Sequence, residues 1–266
     1  MKVLVTGAAG SIGRVVTLGL ADRGHTVVGL DRLPQPDGHE GHWYTVDCAD
    51  PDAVWAVFDE GSLDAVVHLA GNPREESLPD CIASHVLTAA ALLDAMVGHD
   101  VSRFVYASSI HAVGRAPHSD LLGIDERPRP DTFYGVAKVT AEALMSLYVD
   151  RYGLDAVACR IGSFLERPEA TRNLSTWLSP DDCVRMVEAA LTATAPGFAV
   201  LYGISNNTRA WWDLEPGRAL GYEPRDDAED FAGSIAAGPD DEAHGAYAGG
   251  HFVARELERP ALDRSA

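Results

Sequence analysis

Tyr134 and Lys138 stand four residues apart in the stretch FYGVAK. Of 21 basic residues in the 266-residue chain only two, Lys2 and Lys138, are lysine; the rest are arginine. On a helix this spacing puts both side chains on one face. A phenol with a pKa near ~10 is a poor base at neutral pH, and a neighbouring ammonium lowers that value by stabilising phenolate. A compact amine can serve both the tyrosine and the hydroxyls of a ribose, which a planar guanidinium cannot do in the same way. Ser109 lies 25 residues upstream, just after an apolar run that reads as a strand, where parallel sheets present ligands. A hydroxyl, a phenol and an amine so placed can move a proton on and off a carbinol oxygen. The competing reading, an exposed i, i+4 pair, leaves Ser109 unexplained.

A second constellation lies at the start of the chain. TGAAGSIG, Thr6 to Gly13, sets Gly7, Gly10 and Gly13 three residues apart between an apolar run and a helical pattern. Such glycines permit a tight turn, let backbone N–H groups approach a pyrophosphate and let helix and strand pack closely. Ser11 and Ile12 open the helix, whose N-terminus carries partial positive charge toward phosphate. Asp31 follows Gly13 by 18 residues at the end of the next apolar run, where a carboxylate accepts from ribose hydroxyls and repels a 2′-phosphate. NAD is therefore the expected cofactor, with Arg32 the residue that would tolerate the phosphate of NADP. Asp47 and Cys48 follow a third run, where an acid can accept from an adenine amino group.

Short apolar runs alternate with helical patterns, the signature of a parallel sheet covered on both faces. Strands are expected near Val3–Val5, Thr26–Leu30, Trp43–Val46, Ala65–Leu69, Arg103–Ala107, Ala156–Arg160 and 199–205. Helices are expected near 11–23, 51–59, 80–98 and 134–151, and again from SPDDC at 179–183, with Ser179 as N-cap. This divides the chain into an NAD-binding domain (1–160), a small, partly interleaved substrate region (161–230) and a tail (231–266). The tail is rich in Ala, Gly and Asp with little periodicity, so it is expected to pack weakly or be partly mobile.

A net charge of −19 argues against binding nucleic acid or anionic membrane. Cys48, Cys81, Cys159 and Cys183 are scattered without metal or redox spacing and read as small apolar residues of a reducing compartment. HEGH at 39–42 lacks the His-Glu-x-x-His spacing and sits in a loop, so no metal site is expected. MKVLVTG reads as a strand entering a loop rather than a leader, and no apolar run approaches the ~20 residues that span a bilayer. A cytoplasmic protein is expected.

The Thr-Gly-x-x-Gly-x-x-Gly loop, Ser109 and the Tyr-x-x-x-Lys pair together resemble the extended short-chain dehydrogenase/reductase superfamily, that is, the NAD-dependent epimerase/dehydratase family, from residue 2 to about 230. The resemblance implies an α/β Rossmann-like, doubly wound parallel sheet with a small discontinuous C-terminal substrate region. It implies that Tyr134 is the acid/base, that Lys138 lowers its pKa and binds the nicotinamide ribose, and that Ser109 hydrogen-bonds the reacting oxygen. Leu69, Ala70, Gly71 and Ile161 would line the cofactor. A homo-oligomer is also expected.

ASSIHAVG (107–114), RIGSF (160–164), RNLSTWLSPDD (172–182) and YGISNNTRAWWDL (202–214) look like the uronate dehydrogenases, which oxidise C1 of hexuronic acids to lactones with NAD. HLAGNPREE (68–76) looks closer to haloarchaeal glucose-6-phosphate dehydrogenases of the same branch. Both relatives act on small anionic sugars, and a pocket for such a sugar needs a cation. Arg172 matches the arginine that grips the uronate carboxylate, a group suited to a bidentate fork; Arg74 is a second candidate. Ser163 and His111 match positions lining the uronate pocket. Ile110 and Pro73 depart from the pattern, standing where those enzymes have Asn and Ser. His85 stands where the superfamily often has an Asn that organises a relay water. Trp211 and Trp212 read as core packing. The alternatives are a sugar-phosphate dehydrogenase, an epimerase or reductase on another sugar, and a non-catalytic NAD sensor; the presence of both Tyr134 and Lys138 weighs against the last.

Overall fold

The computed structural model describes residues 1–38 and 41–253. His39 and Glu40 of HEGH, and 254–266 of the expected tail, lie outside the described residues. Among the described residues nine strands occur in chain order: β1 (Lys2–Thr6), β2 (Thr26–Asp31), β3 (His42–Thr45), β4 (Ala65–His68), β5 (Arg103–Ser109), β6 (Asp155–Ile161), β7 (Ser163–Phe164), β8 (Trp177–Leu178) and β9 (Phe198–Gly203). Seven form one parallel sheet in the order β3-β2-β1-β4-β5-β6-β9, while β7 and β8 pair separately. The strand order reverses direction between β1 and β4, which opens a crevice at their carboxyl ends.

The helices are α1 (Ser11–Asp22), α2 (Pro51–Asp59), α3 (Leu78–Ile82), α4 (Thr88–Gly98), α5 (Phe133–Tyr152), α6 (Asn173–Thr176), α7 (Pro180–Thr192), α8 (Glu215–Ala219) and α9 (Asp241–Gly245). Strands buried on both faces need continuous apolar runs, and β4 (AVVH) is buried throughout. One face is covered by α2, α4 and α5 through residues such as Phe58, Leu92 and Met145; the other by α1 and α7 through Leu20 and Met186. The sheet is thus doubly wound as expected. All four cysteines are free and buried.

Local chemistry sets the helix ends. Asp50, Thr132 and Ser179 each cap a helix by accepting a backbone N–H, Ser179 as expected from the sequence. Gly153, with φ +70°, terminates α5 in the left-handed conformation. Between α3 and α4 the helix widens into a π turn over Ala83–Leu87, an irregularity that favours functional sites. The combined stretch Leu78–Gly98 is long and apolar enough to cross a membrane by length and composition alone, which corrects the expectation that no run approaches that size. Half of that window is buried, and Leu92, Leu93 and Met96 fill the core beneath the sheet.

The segment 231–253 is mostly exposed, yet it is anchored at particular points. Phe231 packs edge-on against Trp177, with ring centroids 5.5 Å apart. Further on, His118 N donates to Ala246 O (2.8 Å), Ala248 N to Ala116 O (3.0 Å) and Gly249 N to Gly114 O (2.7 Å). Backbone pairing of this kind needs no side-chain period, and small residues let the strands of chain approach closely. Trp211 and Trp212 stack at 4.5 Å in a buried cluster with Val113 and Tyr202, as core packing requires.

Candidate active site

The loop between β1 and α1 is shaped by what it cannot hold. Gly7 has φ +67°, and a Cβ there would stand 2.6 Å from the Ala70 nitrogen; a Cβ on Gly13 would overlap the Gly7 carbonyl oxygen. Gly10 precedes α1 with no side-chain cap, so the N–H groups of Ser11, Ile12 and Gly13 open the helix unblocked by a side chain. Asp31 ends β2, its Oδ2 accepting from Ala9 N (3.0 Å) and its Oδ1 from Leu33 N (3.0 Å). Both contacts fix the carboxylate beside the loop. Arg32 is exposed. Asp47 is exposed after β3 and accepts from Ala49 N (2.9 Å), whereas Cys48 is buried in the core. Leu69, Ala70 and Gly71 follow β4 across from the loop, and Ile161 ends β6. A glycine-built cradle, a helix N-terminus and a strand-end acid are the parts a dinucleotide needs, so these residues fit one.

Tyr134 sits on the first turn of α5, and Ser109 on the last residue of β5, one step inside the strand rather than beyond it. Desolvation pushes the Tyr134 phenol up to about 12, against which the Ser109 hydroxyl hydrogen bond acts downward. Lys138 is buried; its Nζ donates to Ala107 O at 2.6 Å and lies 5.3 Å from the Tyr134 ring centroid. Desolvation holds its ammonium down at about 7, and the Glu142 carboxylate one turn along α5 opposes that shift. The spacing therefore does bring serine, phenol and amine together. The phenol is not lowered in this structure: burial outweighs the Ser109 hydrogen bond, the one contribution acting downward on it.

Two imidazoles back this site. His85, on the π turn, meets the Tyr134 ring edge-on at 5.1 Å and bonds Asn72 O through Nε2 (2.8 Å). Its Nδ1 is buried with no partner among the described residues, and burial followed by the Lys138 charge pushes its pKa down to about 3. His68 at the end of β4 bridges Thr6 Oγ1 (2.7 Å) and Thr88 Oγ1 (3.3 Å) and is likewise pushed down to about 3 by burial. Both imidazoles are neutral near pH 7.

Beside the tyrosine a cavity of about 360 Å³ is lined by Ile110, His111, Ser163, Arg172, His251 and Phe252, among others. The His111 ring lies 5.9 Å from that of Tyr134 and 4.8 Å from that of Phe252. Ser163 Oγ shares a hydrogen bond with Thr176 Oγ1 (2.9 Å). Arg172 donates through one Nη to Ala248 O (2.6 Å), and its Nε is buried with no partner among the described residues. Burial lowers its pKa, and the Asp131 charge raises it. Ile110 lines the cavity and also packs with Trp212 and Val113, so it gives the cavity an apolar wall. Arg74 does not join this set: it is exposed, its backbone N–H turned back to Asn72 Oδ1 (3.1 Å). Pro73 is exposed on the same loop. Among the described residues no cluster of His, Cys, Asp and Glu is placed to hold a metal ion.

Sequence reasoning missed four contributors. Glu75 accepts from both Phe133 N (2.9 Å) and Tyr134 N (3.0 Å), closing the N-terminus of α5 from another loop. Asp131 pairs with His111 at 2.8 Å. His251 and Phe252 reach the cavity from the end of the described chain. An acid next to the Thr132 N-cap was a readable signal for Asp131; nothing in the sequence pattern around 244–253 signals a pocket wall.

Residues 3–179 match the profile of the NAD dependent epimerase/dehydratase family. A uronate dehydrogenase of Pseudomonas syringae pv. tomato is 35% identical over 95% of this chain and 93% of its own. The NAD-dependent glucose-6-phosphate dehydrogenase of Haloferax volcanii is 34% identical over 86% of this chain and 95% of its own. In structure, uronate dehydrogenase from Agrobacterium tumefaciens superposes with a TM-score of 0.87 at 36% identity, covering 95% of this chain and 96% of that one. A mutant of that enzyme is known complexed with NAD. The glycine cradle, the Ser–Tyr–Lys set and a parallel sheet shared almost end to end with these relatives lead to one assignment: the chain belongs to the NAD dependent epimerase/dehydratase family.

Proposed function

We propose that this protein is an NAD-dependent dehydrogenase that oxidises the C1 hydroxyl of a hexuronic acid to the lactone. The observation that carries the substrate is Arg172: its guanidinium lines a sugar-sized cavity together with His111, whose ring lies 5.9 Å from that of Tyr134. A carboxylate at the far end of a sugar ring satisfies such a group with a bidentate pair. The uronate dehydrogenase relatives, which are similar over almost the whole chain, support the same substrate class.

Bound NAD supplies the hydride acceptor. Ser109 and Tyr134 hold the carbinol oxygen between their hydroxyls, and Tyr134 takes its proton. Lys138, 5.3 Å from the ring centroid, is the cation positioned to stabilise the phenolate that this requires. His111 and Ser163 face hydroxyls of the ring, while Ile110 offers only apolar contact. Sheet and loops up to residue 160 serve the cofactor, and residues after 160, including His251 and Phe252, complete the sugar pocket. Localisation in the cytoplasm and a homo-oligomeric state belong to the same reading.

The test is an NAD-reduction screen over glucuronate, galacturonate, neutral aldoses and sugar phosphates. NADH formation with the uronates is expected. Activity confined to a sugar phosphate would move the assignment to the glucose-6-phosphate type, and activity with none would sink the dehydrogenase reading.

A further inference from the structure

Asp131 precedes the N-cap of α5, yet its carboxylate turns inward and has no exposed surface. Its two oxygens lie 2.8 and 3.0 Å from His111 Nδ1, and Oδ1 accepts the Thr132 hydroxyl at 3.2 Å. Glycines close over it from two separate segments: a Cβ on either Gly114 or Gly249 would overlap Oδ2. The seat is therefore cut to a bare carboxylate, with backbone from the β5 side and from the C-terminal segment excluding water. The same charge supports the Arg172 guanidinium against the cost of burial. An acid placed only to cap a helix would need none of this, since Thr132 already accepts from Gly135 N at 2.9 Å.

The geometry points to Asp131 as the positioning residue of the sugar pocket, taking the Nδ1–H of His111 so that Nε2 faces the cavity as a hydrogen-bond acceptor, and balancing Arg172 on the other side. This rests on the proposed reading of the cavity as a sugar site. A neutral imidazole free of such a partner carries its proton mainly on Nε2 and would present a donor instead; the carboxylate inverts that choice. A sugar hydroxyl then donates to His111 while the substrate carboxylate accepts from Arg172. Two groups that would otherwise be set independently are held in register by one buried charge.

The experiment uses full-length protein labelled with ¹⁵N-histidine, with long-range proton–nitrogen spectra to read which ring nitrogen is protonated. His111 is assigned by its loss in His111→Gln. In the unsubstituted protein His111 is expected to carry its proton on Nδ1. In Asp131→Ala the proton is expected to shift largely to Nε2. That variant is expected to raise KM for glucuronate by about 10- to 100-fold, the scale of losing one buried hydrogen-bond partner, with KM for NAD unchanged. An Nε2–H tautomer in the unsubstituted protein would overturn the proposal, and that spectrum decides the matter even if Asp131→Ala does not fold. An Asp131→Ala protein that kept both tautomer and KM would also overturn it. Lack of any glucuronate oxidation alongside an Nδ1–H His111 would sink the proposed substrate and leave the orienting contact standing.

Discussion

Glu75 caps α5 from outside it: its two carboxylate oxygens accept the backbone N–H groups of Phe133 and Tyr134 at 2.9 and 3.0 Å. An anion at a helix N-terminus satisfies orphan donors and complements the dipole. Here it also ties the loop after β4, which carries Leu69 to Gly71, to the turn that carries the tyrosine. Glu75→Ala is expected to cost about 1 kcal/mol in a urea melt. It is also expected to lower kcat several-fold, because Tyr134 loses its fixed position relative to that loop. A variant with full kcat would limit Glu75 to a stabilising role.

In the proposed mechanism Tyr134 accepts the proton, so Tyr134→Phe is expected to lower kcat by about 10²- to 10⁴-fold. Affinity for NAD, measured by fluorescence titration, should stay within a few-fold, since the glycine cradle and Asp31 remain. Intact turnover in this variant would assign the proton to another group.

His68 and His85 give the fold an acid-sensitive window. Burial pushes each from 6.5 to about 3 in the folded protein. Between those values the unfolded chain binds protons that the native protein does not. The stability these residues provide is complete above about 6.5 and is lost as pH falls toward about 3. In urea melts from pH 4 to 7, His68→Gln is expected to flatten the dependence of unfolding free energy on pH by up to about 1.4 kcal/mol per pH unit. An unchanged slope would show that His68 does not carry this linkage.

The sheet and the cofactor cradle were legible because their signals are local. TGAAGSIG lies between one strand and one helix, and Asp31 ends the next strand, so spacing alone locates them. Ser109 and Tyr134 could be paired because a strand end and a helix start in a parallel sheet share one edge. What stayed hidden depends on contacts between segments far apart in the chain. Arg74 and Arg172 look alike as isolated arginines, yet one is exposed and the other is held by Ala248 O. The Lys138 shift depends on the depth of its burial, which a spacing of four residues does not reveal. The C-terminal segment joins the site through backbone bonds to Gly114 and Ala116, which leave no mark in side-chain periodicity.

The most direct measurement compares NADH formation from glucuronate and from glucose, sugars that differ only in a carboxylate against a hydroxymethyl group, in the unsubstituted protein and in Arg172→Ala. The unsubstituted protein is expected to favour glucuronate in kcat/KM by on the order of 10²-fold, as a charge-assisted pair allows. Arg172→Ala should remove most of that preference, chiefly through KM. Equal use of the two sugars by the unsubstituted protein, or a preference that survives Arg172→Ala, would contradict a uronate pocket built on Arg172.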